Sequence, residues 1–233
     1  MPYFYPYIDS TYILVLIGAL LSLAASGVVK TTFSKYSKVR SLSGMTGAQA
    51  AERILHSAGI YDVTVMHVSG NLTDHYDPRS KTLKLSDSVY SQTSVAAIGV
   101  AAHECGHAIQ HDKGYIPLTL RSALVPVANI GSAISWPLII VGVVLSWFQP
   151  LITLGIILFS FAVIFQLVTL PVEFNASARA VRILNDTGIL YGEEVTHTKK
   201  VLSAAALTYV AAAAASILQL LRLVILFGGR NRD

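Results

Sequence analysis

His103-Glu104-Cys105-Gly106-His107 sets two imidazoles four residues apart, with a carboxylate directly after the first. On a helix that spacing puts both histidines on one face, where they can ligate a single Zn²⁺. Glu104 is rotated about 100° from His103. It then stands beside the metal and can take a proton from a water held there. A five-residue pattern recurs by chance, and the bland alternative is a polar helix face with satisfied histidines. The context favours chemistry, because Ser94 to His111 contains no proline and reads as one helix.

Such a helix must be held by something, and the composition says what. Of 233 residues, 53% are hydrophobic and only 13% charged, too few charges for an ordinary soluble domain. The apolar residues come in blocks. Ser10 to Val29, Ser122 to Val172 and Val201 to Leu221 carry no charge. A spanning helix needs roughly 20 apolar residues. The first block fits one span. The second fits two, broken at Trp147-Phe148-Gln149-Pro150, and the third fits one more, to about Phe227. The net charge of +4 does not point to nucleic acid, because the basic residues flank the apolar blocks. Lys30, Lys35, Lys38 and Arg40 follow the first span and only Asp9 precedes it. By the positive-inside rule the N-terminus is outside and the segment after Val29 cytoplasmic. The first block reads as an anchor, since a cleaved signal would carry positive charge before it. Met1 to Ser10 is expected at the outer headgroups. The single cysteine, Cys105, excludes an intrachain disulfide.

The resulting fold class is a mainly α membrane protein. About four hydrophobic helices accompany a zincin-like α+β cytoplasmic catalytic domain with a small β-sheet or hairpin. The expected divisions are an anchor at 1–29, the cytoplasmic domain at 30–121 and a transmembrane hairpin at 122–172. A cytoplasmic helix at 173–200 and a fourth hydrophobic segment with its tail at 201–233 complete the chain. Within the second division, Lys30 to Gly44 reads as a polar linker, and Thr46 to Ala58 as an amphipathic helix capped by Thr46 and ended by Gly59. Val63 to Val68, Leu72 to Tyr76 and Lys81 to Leu85 read as strands, the last two forming a hairpin across Asp77-Pro78-Arg79-Ser80. The His103 helix has only eight apolar residues before its polar half, so it is not expected to cross the bilayer.

Zinc enzymes of this kind use three protein ligands. A metzincin extension fails, because Gln110 occupies its Gly position and Lys113 its last His position. His111 would lie about 12 Å along the helix from His103, too far for one ion, and is read as supporting or solvated. Of the five glutamates, Glu104 is used and Glu52 reads as surface. Glu193 and Glu194 sit beside Tyr191-Gly192 and read as solvent-facing. Glu173 differs. It is the first charge after the long apolar block, and on a helix it shares a face with the small residues Ala176, Ser177 and Ala180. A second helix could approach closely there.

Three stretches together, His103-Glu-Cys-Gly-His-Ala-Ile-Gln110, Leu72-Thr-Asp-His-Tyr-Asp-Pro-Arg79 and Leu170-Pro-Val-Glu-Phe-Asn-Ala-Ser177, resemble the YugP-type neutral zinc metallopeptidases, multi-pass bacterial membrane proteins. The layout is also similar to the HtpX-type and CAAX-prenyl membrane proteases. In those a Glu in an E-x-x-x-D pattern, two spans beyond the first motif, completes a cytoplasmic zinc site. The resemblance therefore implies Glu173 as third ligand of one Zn²⁺ per chain. Ser177 stands where those proteases have Asp, and would orient a ligand histidine more weakly.

Zinc peptidases bind substrate as an extended strand along a sheet edge. The Leu72 to Tyr76 strand is the candidate, with His75 and Tyr76 as substrate or oxyanion contacts. His67 reads as a packing residue, His56 as helix surface, His197 as solvated, and Arg179 as pointing away from Glu173. The expectation is a zinc-dependent endopeptidase of the plasma membrane acting in the cytoplasm on protein or peptide at the lipid bilayer, with no nucleic-acid partner. Two other classes remain. An intramembrane site-2-type protease would want the motif inside a span and an intramembrane Asp-Gly. Here the nearest Asp-x-Gly, Asp186-Thr187-Gly188, is in a polar segment. A zinc-stabilised scaffold would have no use for Glu104.

Overall fold

The computed structural model describes residues 9–228, and the expectations for Met1 to Ile8 and for the tail arginines Arg230 and Arg232 fall outside them. The elements run α1 (Tyr12–Tyr36), α2 (Gly47–Ser57), β1 (Thr64–His67), β2 (His75–Asp77), β3 (Thr82–Leu85), α3 (Val95–Asp112), α4 (Ile116–Val144), α5 (Gln149–Asp186) and α6 (Glu193–Phe227). Four of them, α1, α4, α5 and α6, are long and apolar enough to cross a membrane. The chain is a mainly α membrane protein with one small sheet. It divides into two compact units: the described parts of Met1–Ala24, Arg121–Val168 and Val210–Asp233, and Ala25–Leu120 with Thr169–Tyr209.

In the first unit, α4 and α5 form the expected hairpin. Ser146 and Trp147 both adopt left-handed conformations (φ 56° and 65°), and Phe148 N–H donates to Gly142 O at 2.7 Å, which closes the end of α4. The two helices approach until a Cβ on Gly155 would lie 2.8 Å from Ser135 O, so only glycine fits. Arg222 is buried, with its guanidinium 4.2 Å from the Tyr12 ring centroid, a better-solvated arrangement for the charge than hydrocarbon.

The second unit is built around α3. Its first half is apolar on every side and wholly buried from Val95 to Ile98, against α2, the sheet and residues of α5 and α6. Thr46 caps α2 through a reciprocal box with Gln49. Ser94 caps α3, and its neighbour Val95 N–H is fixed on Val39 O at 2.9 Å. The sheet has the order β1-β3-β2, with β1 parallel and β2 antiparallel to β3.

Several boundaries differ from expectation: α4 begins at Ile116, and the expected helix over 173–200 is two, parted between Asp186 and Glu193, with α6 running on through 201. The polar linker is helical as far as Tyr36, because Lys30 to Tyr36 contains no helix breaker and a change of hydropathy marks a change of solvent. For the same reason α5 continues through the expected boundary at Glu173 to Asp186 without a break. The second strand begins at His75, not Leu72. Leu72 is left-handed (φ 56°), and the Asp74 carboxylate binds Ser86 N–H and Oγ at 2.7 and 2.9 Å, which holds the segment in a turn.

Candidate metal centre

The helix α3 delivers His103 and His107 toward α5, and the approach depends on one glycine. A Cβ on Gly106 would lie 2.6 Å from Ala176 O. On α5 the facing residues Glu173, Ala176 and Ala180 are all buried, so the small-residue face predicted from the sequence is the contact face. Cys105 points the other way, fully buried, with its thiol donating to Ala51 O at 3.5 Å. Burial, then the nearby Glu104 charge, pushes that thiol well above its ordinary pKa.

His103, His107 and Glu173 converge. One ligand atom from each lies within 4.8 Å of the others. Glu173 Oε2 is 3.2 Å from His103 Nε2 and 3.5 Å from His107 Nε2, and the two rings stand nearly perpendicular, 87° apart. A tetrahedral ion with bonds of roughly 2.0–2.1 Å has ligand-to-ligand edges of about 3.3 Å, so these separations fit one. Glu104 is buried on the same helix.

The other ring nitrogens are also held. His103 Nδ1 lies 3.1 Å from Ser177 Oγ, and His107 Nδ1 lies 3.0 Å from Gln110 Oε1. Gln110 decides a tautomer. Its Nε2 donates to Val172 O at 2.8 Å and Asn175 Oδ1 at 3.0 Å, so its Oε1 is the end that faces His107 and can only accept. The His107 Nδ1 therefore carries a proton, and its Nε2 presents either a lone pair or a second proton to the Glu173 carboxylate. A lone pair there requires a cation between them. Burial alone would depress His107, but the bond to Glu173 and the charges of Glu104 and Glu173 hold it above the usual histidine range. Two imidazoles, one carboxylate and a second layer of acceptors form a donor set suited to zinc.

Gln110 entered the sequence reading only as a mismatch. The signal available was its place three residues after His107, on the same helical face. Asn175 gave no signal, nor did Arg179, whose Nε donates to Asn175 Oδ1 at 2.7 Å.

The remaining residues sort themselves. Tyr76 Oη lies 2.9 Å from His111 Nδ1, joining β2 to the end of α3. Burial, then the surrounding aspartates, raises the Tyr76 phenol to about 12, so it stays a neutral donor. His75 is exposed, its Nδ1 on Thr73 O at 2.9 Å, and pairs with Lys84 while Tyr76 pairs with Leu83. Adjacent strand residues face opposite sides, so the two do not share a cleft. His56 is exposed and stacks on Tyr61. His67 is exposed, bonded to Asp87 at 2.6 Å, and its ring stands edge-on to that of Tyr90 with centroids 5.5 Å apart. His197 is half-buried with its ring 4.7 Å from that of Tyr36, not freely solvated. Glu52 and Glu193 are exposed, but Glu194 is buried. It lies in the first turn of α6 and accepts from Leu42 N–H at 2.8 Å and Tyr191 N–H at 3.3 Å, a favourable place for a carboxylate.

With fold and site in view, the comparison with known proteins is direct. Residues 11–228 match the family described as "Putative neutral zinc metallopeptidase", and the chain belongs to that family. It is also 52% identical over 224 residues to the "Putative membrane protease YugP" of Bacillus subtilis (strain 168), covering 95% of this chain and 99% of that protein. No solved structure matches.

Proposed function

We propose that this chain is a membrane-embedded, zinc-dependent endopeptidase whose site lies on the cytoplasmic side of the plasma membrane. The observation that carries the reading is the convergence of His103, His107 and Glu173 within 4.8 Å, with both Nδ1 atoms held at 3.0–3.1 Å. These three residues would hold one Zn²⁺ per chain, with Ser177 and Gln110 orienting the histidines. Zinc bound there supplies Lewis acidity and brings the pKa of a water toward neutrality.

The protein's own groups do the rest. Glu104 accepts a proton from the attacking water and returns it to the leaving nitrogen as the C–N bond breaks. The edge strand β2 would pair with an extended peptide, the substrate or oxyanion contact coming from whichever of His75 and Tyr76 faces the cleft. Of these two, Tyr76 is favoured because its hydroxyl is fixed against α3. The substrate is protein or peptide at the bilayer. The cytoplasmic placement rests on Lys30, Lys35, Lys38 and Arg40, which follow the first apolar block.

The intramembrane alternative is disfavoured because α3 is not among the four apolar helices. Metal analysis tests the ligand set. Purified wild-type chain should hold one zinc, and Glu173→Ala should lose it together with activity. Full occupancy and unchanged activity in that variant would remove Glu173 from the site.

A further inference from the structure

The second unit contains a cleft of about 650 Å³ between the C-terminal part of α1 and the N-terminal part of α6. Its rim carries Lys35, Lys199 and Lys200, interspersed with the hydroxyls of Thr31, Thr196 and Ser203. Its other wall is apolar, with Val28 from α1 and Ala204 and Leu207 from α6. No carboxylate lines it. A neighbouring hollow of about 520 Å³ shares Thr31 and Lys35 and adds Lys30 and Lys38. Five lysines thus surround one region. Among the described residues none of the five has a carboxylate within ion-pairing distance, whereas Lys81 and Lys113 are paired with Asp62 and Asp112.

The change from polar to apolar coincides with the end of charge on both helices. Going back along α1, no charge follows Lys30 until Asp9. Going forward along α6, none follows Lys200 until Arg222. Both helices are long and apolar enough to cross a membrane, so the lysine rim falls at headgroup level and Val28 and Leu207 at the start of the hydrocarbon. The combination selects a ligand. A phosphodiester satisfies lysines that lack a carboxylate together with the hydroxyls of Thr196 and Ser203, the Thr31 hydroxyl being already donated to Gly27 O at 2.8 Å. An acyl chain attached to it continues along the apolar wall. A zwitterionic headgroup would bring its own cation against five others, and a free phosphate would leave the apolar wall without an occupant.

We propose that this cleft is a binding site for one anionic phospholipid, held by Lys35, Lys199 and Lys200 and clamping α1 to α6 at the membrane surface. The site is independent of the zinc centre and of the peptidase reading.

Lipid retention by the full chain, purified in neutral detergent and read by native mass spectrometry, tests it. Wild type should keep one phosphatidylglycerol and release phosphatidylcholine of the same acyl chains. Each lysine near an anionic surface contributes roughly fivefold in affinity, so Lys35→Gln/Lys199→Gln/Lys200→Gln should weaken retention roughly 100-fold. These side chains are exposed, and helix content by circular dichroism should be unchanged. Arg79→Gln/Lys84→Gln/Lys113→Gln removes the same charge elsewhere and should retain the lipid. Three results would each overturn the proposal: equal retention of the two lipids by wild type, equal loss in both triple variants, and displacement of phosphatidylglycerol by excess inorganic phosphate.

Discussion

Gln110 places the proton on His107, and the position of that proton decides whether the ring can hold a metal. Removing the amide in Gln110→Ala frees the ring to rotate and to change tautomer. Zinc affinity should fall about 10–100-fold, as expected for a lost outer partner, with the fold retained. A competitive zinc titration against a chelator checks this, and unchanged affinity would make Gln110 a packing residue only. The raised pKa of His107 gives a pH dependence with a definite sign. Its proton persists to higher pH than an ordinary histidine proton and must leave when metal binds. Zinc affinity should therefore climb as pH rises through and beyond the usual histidine range, and a flat profile would contradict the ligand assignment. Cys105, with its depressed tendency to ionise, should resist iodoacetamide in the folded chain and react only on denaturation. That His103 and His107 stand together was legible because local spacing fixes it. Gln110's role was not, since its partners Val172 and Asn175 are 62 and 65 residues away in the chain.

Two helices bring the site together, and Gly106 sets their separation. In Gly106→Ala the new methyl would meet the backbone of Ala176, which cannot rotate away. Overpacking of this kind costs about 1–3 kcal/mol. The expected result is a lower melting temperature and weakened zinc binding together. Wild-type stability with full zinc would show that α3 and α5 can separate without consequence. The start of α2 was legible because capping is local: Thr46 stands there, and the structure adds its box with Gln49. The extensions of α1 to Tyr36 and α5 to Asp186 were not, because charge reports where a helix meets water and not where it ends. The late start of β2 depends on Asp74 reaching Ser86, and the parallel pairing of β1 with β3 joins strands that are not neighbours in sequence. Neither follows from alternation within a strand.

For the whole molecule, the number of crossings has to agree with a single site. His103 follows one apolar block and Glu173 follows two more, so a pair of crossings returns the chain to the side it left. On the proposed topology, in which the lysines after Val29 set the N-terminus outside, both residues fall in the cytoplasm. A full crossing by α6 would leave the tail outside. In an Asp233→Cys variant made in a Cys105→Ser background, an impermeant thiol reagent should label intact cells from outside. Labelling only after permeabilisation would place the tail inside and leave the zinc centre untouched. The central claim, peptide hydrolysis at a zinc site with Glu104 as base, has a more direct test. Zinc content and hydrolysis of an unfolded protein substrate are measured on the same purified samples of wild type and Glu104→Gln. Wild type should cleave, and the variant should keep its zinc while losing activity by about 10²–10⁴-fold. Wild-type turnover in a zinc-loaded Glu104→Gln, or no cleavage by zinc-loaded wild type, would contradict it.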